Sequence, residues 1–192
     1  LNTNKEQNIM IYTEITPNPA SLKFIVGRML LPKGSADFPD ESATEDAPLA
    51  AKLFNFKFVE GVFISKNFVT ITKKDNFQWE EIIPVVKDYL KAYLASDQPV
   101  FTGKYQEQQQ EVQQDDDDEV TKKIKSLLES HVRPAIAQDG GDIIYDSFED
   151  GVLRLRLQGS CSGCPSSVVT LKQGIEGLMT HMVPEVKAVE AV

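Results

Sequence analysis

Apolar residues recur along this chain in two sets, one on each side of a polar stretch near the middle. In the first set, Met10 to Ile15 and Leu22 to Val26 read as strands. Pro32 to Asp46, with its Pro, Gly and Asp residues, reads as a polar loop. Pro48 to Phe56 predicts a short helix opening on its proline. Gly61 to Lys73 predicts a hairpin, with Val62, Ile64, Val69 and Ile71 as β-branched positions and Lys66-Asn67 as the turn. From Phe77 to Leu94 the period lengthens, and Trp79, Ile82, Ile83, Val86, Leu90 and Leu94 fall at helical spacing. Pro84 interrupts that helix and predicts a late start or a kink, since a proline inside a helix costs about 3 kcal/mol.

The second set is more regular. Val120, Ile124, Leu127, Leu128 and Val132 share one helical face; Pro134 is expected to kink this helix, and Gly140-Gly141 to end it. Ile143 to Ser147 and Val152 to Gln158 predict a hairpin across Glu149, Asp150 and Gly151. In its second strand Leu153, Leu155 and Leu157 alternate with Arg154, Arg156 and Gln158, the pattern of a sheet with one wet face. A last helix from about Pro165 to Met182 is expected to turn Val168, Leu171, Ile175, Leu178 and Met182 inward, and Val186 to Val192 is short and β-prone. The fold class is therefore α+β: two small domains, each a small sheet packed with helices.

Between the two sets, Thr102 to Glu119 reads TGKYQEQQQEVQQDDDDE. Such a stretch buries too little apolar surface to offset its ordering entropy. It predicts a flexible acidic, Gln-rich linker over residues 99–118, joining domains at 9–98 and 119–192. A coil of that length spans on the order of 20–25 Å, so the halves are expected to move nearly independently. The net charge of −9 disfavours binding to phosphate backbones, hence no nucleic acid. No apolar run approaches the roughly 20 residues that span a bilayer, hence no membrane. Leu1 to Asn8 carries neither an apolar signal core nor an Arg-rich transit pattern. The expected compartment is a bacterial cytoplasm. A start at Leu rather than Met leaves room for a removed upstream segment and a mature organellar form.

The chain has two cysteines, Cys161 and Cys164, in the run GSCSGCP. Two thiols three residues apart are not a disulfide framework; they point to a reducing compartment and to a site. Ser162-Gly163 allows a tight loop, and Pro165 suits the first position of a helix. Cys164 would sit near that helix start, where partial positive charge favours thiolate, the form that binds iron or zinc. Ser160, Ser162, Ser166 and Ser167 are placed to offer hydroxyls to the sulfurs. A thioredoxin-like redox pair is one alternative, although the preceding strand belongs to a hairpin rather than a βαβ unit. Half of a structural zinc site is another, but the chain has no second CxxC, and His131 and His181 read as surface or satisfied residues. Asp139, Asp142 and Asp146, beside a double glycine, read as turn and capping residues. The remaining reading is arithmetic: iron–sulfur clusters usually take four thiolates, and two chains related by a two-fold axis would supply them. It predicts an exposed cluster at a dimer interface, suited to transfer.

Several runs carry a family resemblance. Arg133-Pro134, Asp139-Gly140-Gly141-Asp142, Gly159 to Ser167, Thr170-Leu171, Gly174-Ile175-Glu176 and Pro184-Glu185-Val186 make Val120 to Val192 resemble the NifU-like (Nfu) C-terminal domain. Thr16-Pro17-Asn18-Pro19, Ser21 to Phe24, Ala50 to Phe54 and Val59 to Val62 resemble the Nfu N-terminal domain. The resemblance implies an iron–sulfur cluster carrier or late scaffold rather than an enzyme. It implies a [4Fe–4S] cluster held between the Cys161 and Cys164 pairs of a homodimer. The implied partners are apo iron–sulfur clients and upstream cluster-assembly proteins. The cysteine-free N-terminal domain fits client recognition.

Overall fold

The computed structural model describes residues 9–105, 117–162 and 165–192, the side chains of 165–167 excepted. It divides into two compact units, each a sheet packed with helices.

The first unit has five antiparallel strands, β1 (Ile11–Ile15), β2 (Ser21–Val26), β3 (Leu31–Phe38), β4 (Val59–Lys66) and β5 (Phe68–Lys73), in the order β1-β2-β5-β4-β3. The pairings Phe24↔Val69, Val62↔Ile71 and Ile64↔Val69 put one row of apolar side chains on a single face. That row is buried together with Leu49 and Leu53 of α1 (Pro48–Phe54) and Ile82, Val86 and Leu90 of α2 (Trp79–Ala95). The expected loop over Pro32 to Asp46 is instead strand β3 followed by a 3-10 turn, Glu41–Ala43. An edge strand tolerates proline, and Gly34, at φ +69°, takes up a bulge between Leu31 and Ser35. Leu31, Ala36 and Phe38 still reach the core. Helix α2 starts at Trp79 and runs through Pro84. Both Pro84 and Glu80, whose carbonyl loses its partner there, are exposed, so water can replace the missing bond.

The predicted linker falls largely on residues 106–116, which lie outside the described residues. On its N-terminal side Val100 and Phe101 are buried in the first core, and Phe101 stacks on Tyr105 with ring centroids 4.4 Å apart. On its C-terminal side Asp118 caps α3 (Glu119–Leu127) by accepting the Thr121 N–H at 2.7 Å. Asp117 pairs with Lys125 at 2.7 Å. The Thr121 N–H bond holds the Asp118 carboxyl below its ordinary pKa. A lowered folded-state pKa means the cap stabilises above the unfolded value and is lost as pH falls through the lowered one. Asp118→Ala should therefore lower the melting temperature at neutral pH, and the difference from the parent should vanish under acid.

In the second unit α3 continues through a π turn, Leu128–Val132, into α4 (Arg133–Gln138). Pro134 causes this. Its ring would collide with the Ser130 carbonyl in a regular helix, and a widened turn relieves the collision. Gly140, at φ +80°, ends the helix. Strands β6 (Gly141–Glu149) and β7 (Val152–Gly159) are joined by Asp150-Gly151, both at positive φ, a type I′ turn. Strand β8 (Ala188–Ala191) runs parallel to β7, which requires a crossover; α5 (Pro165–Met182) supplies it.

The inward stripe of α5 differs from expectation. Ile175 and Met179 are buried, followed by Val183; Val168, Leu171 and Leu178 are half-buried and Met182 is exposed. Glu176 accepts the Val189 main-chain N–H at 2.9 Å, which turns that side of the helix toward β8. No helix among the described residues is long and apolar enough to cross a membrane.

Candidate metal centre

The cysteine loop leaves the end of β7. Gly159 sits at φ +67°, a conformation that favours glycine. The Ser162 N–H and hydroxyl both donate to the Gly159 carbonyl, at 3.1 and 2.8 Å, so residues 159–162 close a tight turn. The turn is held from below by the residues that lead into β6. The Ser160 N–H donates to the Gly140 carbonyl at 3.3 Å, and the Ser160 hydroxyl donates to the Asp139 carbonyl. Gly141 pairs directly with Gly159.

Cys161 belongs to the second core and is 5% exposed. Its sulfur lies against the Gly141 main chain: a Cβ at Gly141 would stand 2.8 Å from Cys161 Sγ and 2.6 Å from the Gln158 carbonyl oxygen. Gly141 is therefore a cradle, needed for the space it leaves. Gly163 and Cys164 lie outside the described residues, as do the side chains of Ser166 and Ser167; α5 begins at the next residue, Pro165.

Two expectations change here. The thiol of Cys161 is turned into the core rather than displayed. Ser160 and Ser162 direct their hydroxyl protons to main-chain carbonyls rather than to sulfur, although Ser160 Oγ stands 3.9 Å from Cys161 Sγ. The loop needs those bonds to turn so sharply.

Asp139 caps the end of α4, as the sequence suggests, whereas Asp142 is a further correction. Asp142 was expected as a turn residue; it is buried and gripped by Arg133. Arg133 Nε donates to Oδ1 at 2.8 Å and Nη2 to Oδ2 at 2.6 Å, with 6% of the Asp142 side chain exposed. The Ile143 N–H also donates to Oδ1, at 2.8 Å, and the remaining Arg133 nitrogen reaches Glu129 at 2.6 Å. The Asp142 hydrogen bonds raise the Arg133 pKa above its ordinary value, so the guanidinium is charged at any physiological pH. The pair joins positions nine apart across a helix–strand corner, which no periodicity reveals. Asp146 pairs with Arg156 at 2.8 Å on the wet face. His131 and His181 are both exposed. Among the described residues, no three His, Cys, Asp or Glu side chains gather as a metal site.

Residues 11–97 match the family model described as the N-terminal domain of the scaffold protein Nfu/NifU, and residues 124–190 match the NifU-like domain. The human "NFU1 iron-sulfur cluster scaffold homolog, mitochondrial" is 42% identical over 185 residues, covering 96% of this chain and 72% of that protein. The Drosophila sechellia protein of the same name is 42% identical over 187 residues, covering 97% and 66%. "NifU-like protein 4, mitochondrial" of Arabidopsis thaliana is 42% identical over 189 residues, covering 97% and 67%. The chain thus spans about two thirds of the length of the fly and plant relatives. Their names overturn the expectation of a bacterial cytoplasm, because these relatives are mitochondrial. Composition misled here: two reduced thiols suit a mitochondrial matrix as well as a cytoplasm.

Proposed function

This chain belongs to the Nfu/NifU-like scaffold family, and from that premise we propose that it is an iron–sulfur cluster scaffold and carrier, not an enzyme. Cys161 and Cys164 of two copies together hold one [4Fe–4S] cluster as cargo, which passes to apo iron–sulfur clients after delivery by upstream assembly proteins. The observation that carries the reading is the seat of Cys161. A built turn, braced by main-chain bonds and cradled by Gly141, seats this thiol four residues before the start of α5 at Pro165. Two cysteines per chain cannot complete a four-thiolate set, so two chains are required. Since Cys161 is 5% exposed, cluster uptake must include a movement of its side chain or loop.

Anaerobic reconstitution with ferric and ferrous iron and sulfide tests the proposal. The expected product is a dimer carrying about four iron and four sulfide per two chains, which converts an apo-client to its active form. A chain that stays monomeric, takes up no iron and reduces disulfides would replace this reading with a thiol–disulfide oxidoreductase. Tight stoichiometric zinc without cluster transfer would replace it with a structural zinc dimer.

A further inference from the structure

We propose that Arg133 is a positioning residue for Cys161, acting through Asp142 and the 139–142 turn. The inference rests on the cluster reading only in taking Cys161 as a ligand. The Cys161 loop has three attachments to that turn: the Ser160 hydroxyl to the Asp139 carbonyl, the Ser160 N–H to the Gly140 carbonyl, and Cys161 Sγ against the Gly141 main chain. The next residue, Asp142, is held at both carboxylate oxygens by Arg133. Its Oδ1 also receives the Ile143 N–H, so the carboxylate cannot turn without moving the start of β6.

The grip comes from outside the loop. Arg133 opens α4 directly after the π turn that Pro134 imposes, and that backbone aims the guanidinium at Asp142. Glu129 occupies the third guanidinium nitrogen and fixes its plane. A guanidinium holding both oxygens of one carboxylate sets orientation as well as distance, which a lysine ammonium cannot do. The path thus runs from Arg133 through Asp142 to the Gly140-Gly141 main chain, and from there to Cys161. None of its steps requires contact between Arg133 and the cluster. Loosening the first step frees the loop locally, while the rest of the core stays packed.

The test reads the iron-free full chain. Arg133→Met is compared with Val189→Ala, a core substitution opposite Leu153 on β7. That site is six residues along the strand from Gly159, about 20 Å at strand rise. The two variants are compared at temperatures equally far below their melting points. Alkylation of Cys161, resolved from Cys164 by peptide fragmentation, is timed under native conditions. Local opening predicts that Arg133→Met exposes Cys161 about tenfold faster than the control. Equal rates would mean that Arg133 only stabilises the domain as a whole, and would overturn the proposal. Arg133→Lys serves if the methionine variant does not fold. It should expose Cys161 about threefold faster than the parent, and parental protection of Cys161 would overturn the proposal as well. Because no cluster is present, the result stands apart from whether the chain takes one up. Reconstitution decides that separately, and on loaded protein the cluster's visible absorbance should decay faster in Arg133→Lys than in the parent.

Discussion

Cys161→Ala is expected to abolish cluster uptake while leaving the second domain folded. In the proposed two-chain arrangement each cysteine lost from the sequence is lost twice. Two thiolates then remain where a cubane needs four. The remaining pair could hold only two of the four irons, and water or buffer ligands on the others would leave the cluster labile. The structural cost is small. Cys161 is 5% exposed, and alanine deletes a single buried heavy atom, a loss of about 1 kcal/mol by analogy with removing one buried methyl. Cys161→Ser is the less clean variant. It places a hydroxyl within an apolar cluster, which costs about 1–3 kcal/mol unless the hydroxyl finds a partner. Iron and sulfide per chain, measured after anaerobic reconstitution, should fall to background in Cys161→Ala while far-ultraviolet dichroism and the melting curve stay near the parent's. A variant that keeps parental iron would remove Cys161 from the ligand set.

That contrast marks where sequence reading stops. The CxxC pair is legible as a motif because it is local, and thiols at that spacing suit a metal. The burial of Cys161 is not legible, because it depends on the Gly141↔Gly159 pairing, which brings together residues 18 positions apart. Local features otherwise read well. Asp150-Gly151 specifies its turn, Pro165 opens its helix, and the Leu153, Leu155 pattern fixes which face of β7 is buried. Features set by distant partners do not. Strand β3 hides behind Pro32 and Gly34, because only its place at a sheet edge makes those residues acceptable. The rotation of α5 is set by one bond from Glu176 to Val189, thirteen residues on. The Arg133–Asp142 pair needs the π turn at Leu128–Val132 to exist before the two side chains can meet.

Gly141→Ala carries the second large effect, and its reason is wholly steric. Gly141 is not among the glycines at positive φ, so alanine meets no backbone penalty there. Its Cβ would stand 2.6 Å from the Gln158 carbonyl oxygen and 2.8 Å from Cys161 Sγ. The first contact is to main chain in the paired strand and cannot be relieved by a rotamer change. Overpacking of this kind costs about 3 kcal/mol, the upper end for added methyl groups in a filled core. The second contact falls on the sulfur, so relief means pushing Cys161 off its seat. Cluster uptake should drop together with stability, and Cys161 should alkylate faster than in the parent. Gly174→Ala makes the same chemical change with the opposite sign. Gly174 lies on the exposed side of α5, and a Cβ there meets nothing within 4 Å. Alanine at a helix interior should stabilise by up to about 1 kcal/mol. Denaturant titrations of both variants, followed through the second domain's transition, give the comparison. Equal and small shifts at the two sites would mean that the sulfur does not rest on Gly141, and the cradle would have to be abandoned.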